Sequence, residues 1–284
     1  DLLPASHVLE LAAAPAPRGI CDLTGGYIDS AQLLGRRTAE LHLALAGDTT
    51  TAAFAPEPWT RGETARVSAG AAAQVAGARA LLASARPGLP PEMAAAARAL
   101  VDRAELARHE RYDVNRTSPG ASSASAHAPD GLGSRIRIHG DYHLGQILWA
   151  EGDFYLLDFE GEPARPLEER RRKESPLKDV AGMLRSFSYA AYAALFAHSA
   201  GRTDAFERTE AWARAWGRWT SAAFLKGYLA TAGSAPFLPA DLARRAVLLD
   251  LFLLEKALYE LNYELNNRPD WARIPLRGLS EWLG

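Results

Sequence analysis

The sequence predicts an α+β fold, mainly α-helical, with one small β-hairpin. Long stretches repeat apolar residues at helical spacing over 176–198, 204–231 and 239–266. Two alanine-rich stretches, 69–85 and 92–107, read as further helices, separated by Pro87, Pro90 and Pro91. Only the region 135–160 carries the short apolar runs of strands.

In chain order, the part from 29 to 112 is helical. Leu34, Thr38, Leu41 and Leu45 recur at four, three and four, which marks one buried stripe. Asp29 or Ser30 is placed to cap that helix. Residues 113–134 are rich in Ser, Ala, Gly and Pro without an apolar period and read as a loop. Ile136 and Ile138 alternate with Arg135 and Arg137 as a short strand. Ile147–Trp149 and Phe154–Leu157 form two more, joined by a Glu151-Gly152-Asp153 turn.

From 161 to 284 the chain is helical again. Glu168–Lys173 reads as a solvated charge run. Ser175-Pro176 starts a helix, with Ser as cap and Pro in its first turn. Trp212, Trp216 and Trp219 share helical spacing and read as core rather than as a ligand platform. The tail from Pro269 folds back, packing Ile274, Leu276, Leu279 and Trp282 on the helices. The layout expected is one lobe over 1–284.

At 284 residues and 48% hydrophobic, the chain can bury a sizeable core. A net charge of −2 gives no reason to expect nucleic acid or membrane as a partner. One cysteine, Cys21, excludes an internal disulfide and suits a reducing cytosol, so a cytoplasmic location is expected. No apolar run reaches the roughly 18 residues of a membrane span, and no signal-peptide pattern opens the chain.

The chemistry concentrates in His139-Gly-Asp141-Tyr-His143-Leu-Gly-Gln146, followed by Leu157-Asp158-Phe-Glu160. One carboxylate ends an apolar run, an amide follows five positions later, and a second carboxylate ends the next run. That is the order of a phosphoryl-transfer site, in which the first Asp takes the proton of the attacking hydroxyl and the amide and second Asp hold a metal. A hairpin brings Gln146 and Asp158 side by side, with Asp141 on the loop leading in. Magnesium suits the pair, since it takes one or two carboxylates plus phosphate oxygens and water. A single Asp after a strand is otherwise a common turn or helix cap. His139 reads as pinning the loop by hydrogen bonding. His143 is open between facing the phosphates, facing the sugar or packing. Gly140, Gly145 and Gly161 read as positions of close backbone approach. No other His sits at a zinc-ligand spacing.

These residues resemble the bacterial maltokinases, in the aminoglycoside-phosphotransferase and choline-kinase branch of the protein-kinase-like fold. The marks are His139-Gly-Asp-Tyr-His-Leu-Gly-Gln146, the run from Leu156 to Arg170, Ser175-Pro-Leu-Lys-Asp-Val180, Glu255–Glu264, Asn266–Trp271 and Leu34–His42. The resemblance implies that Asp141 is the catalytic base and that Gln146 and Asp158 are the magnesium ligands. It implies that Lys256, Tyr259 and Tyr263 line the maltose pocket; His143 stands beside them as a candidate substrate contact, and His139, Glu160 and Asp179 as supporting residues. For Asp179 it implies bracing of the catalytic loop, and a plain helix-dipole role stands beside that. The implied reaction is ATP plus maltose giving ADP and maltose 1-phosphate, within glycogen- and trehalose-linked metabolism. A trehalose synthase is the implied partner or fusion.

Lys256, Tyr259 and Tyr263 share one helix face, and a tyrosine stacks on a sugar while its hydroxyl bonds sugar oxygens. Without the resemblance, Leu254, Leu258, Leu261 and Leu265 are simply a core stripe that the tyrosines border. No G-x-G-x-x-G or Walker pattern covers the phosphates. The expectation is therefore a C-terminal lobe without its ATP-covering N-terminal lobe, which folds but phosphorylates maltose poorly or not at all by itself. The rivals are a kinase of the aminoglycoside or choline type and a non-catalytic half-kinase that binds maltose.

Overall fold

The computed structural model describes residues 3–84, 89–112, 131–199 and 203–283. The helices are α1 (Val8–Leu11), α2 (Arg18–Thr24), α3 (Tyr27–Leu45), α4 (Arg61–Ala83), α5 (Pro91–Tyr112), α6 (Leu167–Arg170), α7 (Leu177–Ser199), α8 (Thr203–Ala232), α9 (Leu242–Asn267) and α10 (Arg273–Leu283). The strands are β1 (Glu57–Pro58), β2 (Ser134–Arg135), β3 (Ile147–Ala150) and β4 (Asp153–Leu156). The fold class is thus the mainly helical α+β one that the periodicities predict. Among the described residues, no helix is long and apolar enough to cross a membrane.

The chain divides into two compact units, residues 1–57 with 133–242, and residues 58–132 with 243–284. In the first, α3 and α7 both pack on α8. Small residues set the α3–α8 approach. A methyl group at Gly35 would collide with the Phe224 carbonyl, and one at Gly227 with the Gln32 carbonyl. Burial on α3 consequently follows Ala31, Leu34, Gly35, Thr38, Ala39 and His42. The predicted stripe is rotated, because Leu41 and Leu45 are only half-buried and Ala39 and His42 face the core instead. The helix also begins before Asp29, at Tyr27, and Gly26 rather than Asp29 or Ser30 is its N-cap. Asp29 lies in the first turn, where its charge favours the helix dipole.

In the second unit, α4, α5, α9 and α10 enclose one core that includes Val75, Val101, Leu254, Leu258, Leu261, Leu265, Leu276 and Leu279. Both alanine-rich helices run longer than their apolar stretches. Thr60 accepts the Glu63 N–H at 3.3 Å, the start of a Thr-x-x-Glu capping pattern. Ile274 is buried and Trp282 packs against the cluster, as the fold-back of the tail predicts. Pro87 and the loop expected over 113–130 lie outside the described residues.

Three local expectations need correction. Ile136 makes only an isolated bridge to Glu174, and Ile138 lies outside any strand, because no neighbour extends the ladder. The charge run is not solvated throughout. Lys173 is buried, and its ammonium donates to the carbonyls of Ala52 at 2.7 Å and Ala55 at 2.6 Å and to Glu57 at 2.7 Å. The tryptophans also part company. Trp219 is buried against Leu11 and Ile20, Trp216 packs half-buried beside Tyr27, and Trp212 is 44% exposed.

Candidate active site

The antiparallel β3–β4 hairpin pairs Ile147 with Leu156 and Trp149 with Phe154. Its turn residues Glu151 and Gly152 both take positive φ, as a two-residue hairpin loop requires. Gln146 precedes β3 and Asp158 follows β4. The Leu157 N–H extends the ladder to the Gln146 carbonyl at 3.0 Å. The ends of the hairpin are therefore adjacent, and the Gln146 amide donates from Nε2 to Asp158 Oδ2 at 3.1 Å. Asp158 is exposed and has a φ of 62°, a left-handed conformation that Asp tolerates better than most residues.

His139 ties this hairpin to the preceding loop. Its Nδ1 accepts the Asp141 N–H at 3.4 Å, and its Nε2 donates to the Leu157 carbonyl at 2.7 Å. A carbonyl only accepts, so the ring hydrogen sits on Nε2. The imidazole lies between Tyr142 and Phe159, with ring centroids 5.2 and 5.1 Å away. One side chain thus joins the backbone of Asp141 to the residue before Asp158. The two loops also meet directly. A methyl group at Gly140 would lie 3.4 Å from Gly161 Cα, and both glycines have positive φ, 86° and 76°. A methyl group at Gly145 would meet the His143 ring at 2.7 Å.

The His143 side chain turns toward Asp141. Its Nδ1 accepts the Gly145 N–H at 3.0 Å, and Nε2 lies 3.7 Å from Asp141 Oδ2. Asp179, in the first turn of α7, accepts the His139 N–H at 2.7 Å through Oδ2 and the Gly140 N–H at 2.9 Å through Oδ1. Glu160 turns away to Arg170 at 3.3 Å.

Sequence reasoning assigned no role to α3, which contacts this region at three points. Arg37 pairs in two-pronged fashion with Asp153 at the hairpin turn, at 2.8 and 2.6 Å, and holds that carboxyl below the usual range. Thr38 Oγ1 donates to the Leu34 carbonyl at 2.8 Å and so accepts from the Tyr142 hydroxyl at 2.7 Å. Burial pushes the Tyr142 phenol up, which keeps it a donor. His42 reaches Asp179. The available signal was the spacing of Thr38 and His42, two polar residues one turn apart on a helix face shared with Leu34. Gly182 was also missed. A methyl group there would lie 2.6 Å from the Tyr142 carbonyl, so the loop's close approach to α7 at this point needs a glycine.

Lys256, Tyr259 and Tyr263 lie on α9 in the second unit. Lys256 Nζ sits 5.1 Å from the Tyr259 ring centre, Tyr259 is half-buried and Tyr263 is 48% exposed. Leu254, Leu258, Leu261 and Leu265 fill the core behind them.

Among the described residues, no group of three or more His, Cys, Asp or Glu side chains is placed to hold a metal. Gln146 and Asp158 offer hard oxygens, which suit magnesium when phosphate oxygens and water complete its shell.

No protein-family model matches the chain. Two curated relatives are glucosamine kinases. The chain is 30% identical over 148 residues to that of Streptacidiphilus jiangxiensis, which is 52% of this chain and 32% of the relative. It is 29% identical over 142 residues to that of Mycolicibacterium smegmatis, 48% of this chain and 32% of the relative. A solved glucosamine kinase in complex with glucosamine, ADP and inorganic phosphate matches with a TM-score of 0.66 at 23% identity, over 96% of this chain and 57% of that one. Crystal form B of glucosamine kinase gives 0.65 at 22% identity, over 97% of this chain and 57% of that one. The chain shares the glucosamine kinase fold and is a distant, partial relative of those kinases. It matches about a third of the length of the curated relatives, at 32% of each. The kinase relationship stands, and the relatives found phosphorylate glucosamine by name where the sequence marks pointed to maltokinases.

Proposed function

We propose that this chain carries the catalytic loop of an ATP-dependent sugar kinase, in the aminoglycoside-phosphotransferase-like branch of the kinase fold. The observation that carries the reading is the His139 bridge, which fixes Asp141 beside the hairpin end bearing Asp158 while Gln146 bonds Asp158. Phosphoryl transfer is catalysed mainly by positioning and by charge neutralisation, and a pinned loop supplies the first.

In this reading Asp141 orients a sugar hydroxyl and takes its proton. The sugar oxygen bonds to the γ-phosphorus, and the bond from that phosphorus to the ADP oxygen breaks. His143, its Nε2 turned toward Asp141, holds the carboxylate's orientation. Gln146 and Asp158 are the residues that would hold magnesium, the amide turning its oxygen toward the ion in place of the N–H it now gives Asp158. Bound there, magnesium would neutralise phosphate charge. His139 and Asp179 fix the loop and touch no substrate.

Glucosamine is the first acceptor to test, because the relatives named for an activity are glucosamine kinases. Maltose is the second, favoured by the Lys256 ammonium 5.1 Å over the Tyr259 ring. If that α9 face receives sugar, the Lys256 cation repels an amino sugar and tolerates a neutral one. The product would then be maltose 1-phosphate, and a trehalose synthase a fitting partner.

ADP release with ATP and magnesium, measured on glucosamine and maltose side by side, decides between them. Turnover on either supports the kinase reading. Equal, background release with both sugars, from this chain and from a protein as long as the curated relatives, overturns it.

A further inference from the structure

We propose that His42 is a positioning residue for phosphoryl transfer, acting through Asp179 on the backbone that carries Asp141. The inference rests on the kinase reading above and adds a residue from outside the catalytic loop. His42 is fully buried, at 0% exposure, in the last turn of α3. A buried imidazole is costly unless both ring nitrogens are satisfied, and a leucine would fill the space more cheaply. Here both are used. Nε2 lies 3.2 Å from Asp179 Oδ2, and Nδ1 lies 2.9 Å from the Tyr228 hydroxyl.

The hydrogen-bond directions follow from the partners. A carboxylate oxygen accepts, so Nε2 carries the hydrogen, and Nδ1 then accepts from Tyr228. Tyr228 is also fully buried, and its ring meets His42 edge-on with centroids 5.6 Å apart. A directed chain results: Tyr228 donates to His42, His42 donates to Asp179, and Asp179 accepts the N–H groups of His139 and Gly140. Asp179 is itself only 2% exposed, so water cannot replace a donor that is removed. Without His42 its carboxylate keeps the two loop amides but loses one buried donor to Oδ2, which loosens the position from which it holds them.

One turn earlier on the same helix, Thr38 accepts from Tyr142, the residue after Asp141. Thus α3 grips the catalytic loop on both sides of Asp141: at Tyr142 directly, and at His139 and Gly140 through Asp179. A purely space-filling histidine would not need its two nitrogens matched to a donor and an acceptor.

The test compares His42→Gln, His42→Leu and Tyr228→Phe in the full chain. Glutamine can donate from Nε2 and accept at Oε1, as the imidazole does. Two readouts are taken: hydrogen exchange at the His139 and Gly140 amides, and kcat and KM with ATP, magnesium and whichever of glucosamine or maltose turns over. In His42→Leu, exchange at those two amides should accelerate about tenfold relative to buried α8 amides. Its kcat should fall about 100-fold with the sugar KM within about twofold, the signature of misplacement rather than lost binding. His42→Gln should restore most of both losses, and Tyr228→Phe should fall between. If His42→Leu keeps wild-type exchange and kcat, or if Gln is no better than Leu, the positioning role is overturned. Should His42→Leu fail to fold, faster exchange in Tyr228→Phe supports the proposal and unchanged exchange overturns it. If neither this chain nor a protein as long as the curated relatives turns over either sugar, the kinase reading alone is lost, and the exchange data still decide whether His42 holds the loop.

Discussion

Two regions of this protein carry the residues that sequence patterns single out, and they are built on different terms. Around Asp141, side chains bond to backbone. Asp179 takes two loop amides at 2.7 and 2.9 Å, and His139 spans from the Asp141 N–H to the Leu157 carbonyl. On α9, Tyr259 and Tyr263 are met by cations. Lys256 lies 5.1 Å over one ring and Arg268 5.7 Å over the other. Arg268 is in turn held by Glu264 at 2.9 and 2.7 Å. A cation–π contact near the surface is worth only about 0.5–1 kcal/mol, so the contact itself holds Lys256 over its ring only weakly. The first region fixes a carboxylate in advance of any reaction. The second leaves its aromatic surface the more adjustable of the two.

The largest expected effect separates chemistry from binding in the first region. Asp141→Asn should lower kcat by about 10²- to 10⁴-fold with the sugar KM nearly unchanged, measured by coupled ADP release. Asp158→Asn should follow closely, losing rate and magnesium dependence together. Asn accepts the φ of 62° at that position, so thermal unfolding should stay near wild type and isolate the charge as the cause. Normal turnover in both variants would break the comparison, because the rigid region would then hold nothing reactive.

The sequence made the hairpin and the pairing of its two ends legible because both are local. A turn with Gly152 between apolar runs sets the register, and the register sets Gln146 beside Asp158. The long helices were equally legible from period alone. What stayed hidden was long-range. Nothing local in Leu34–His42 says that Thr38 will meet Tyr142 or that His42 will meet Asp179, 137 positions away. Lys173 looked solvated because its acceptors, the Ala52 and Ala55 carbonyls, are chosen by chain path and not by neighbours in sequence. The α3 stripe was misplaced for a related reason: Gly35 and Ala39 are buried by a close helix approach, which a pattern of large apolar residues does not report.

Stability separates the same two regions at a smaller scale. Gly140→Ala forces a side chain onto a φ of 86° with Gly161 Cα 3.4 Å away. It should cost about 1–2 kcal/mol, read as a lower urea midpoint, and slow turnover with it. Tyr263→Ala should change stability by less than about 0.5 kcal/mol, since the ring is half in solvent. If the α9 face receives sugar, the same variant should raise the sugar KM about three- to tenfold with kcat held. A Tyr263 variant that unfolds as readily as Gly140→Ala would erase the distinction between a fixed and an adjustable region.

The smallest effect concerns the edge of the rigid region, where Arg37 holds Asp153 at the hairpin turn. The Asp153 carboxyl is lowered in the folded state, first by the hydrogen bonds from Arg37 and then by the Phe154 N–H. A depressed folded pKa means that the pair stabilises fully above the unfolded value of about 3.9 and loses its contribution as pH falls through the folded one. Asp153→Asn should therefore unfold at slightly lower urea than wild type at pH 7, and the gap should close as pH falls below about 3.9 and through the lowered folded value. Added salt should narrow it too, because both side chains are partly exposed at 28% and 36%. A gap that persists unchanged into acid would mean that the turn is held by packing and not by the Arg37 charge. The hairpin end bearing Asp158 would then owe its place to His139 and the β3–β4 ladder alone.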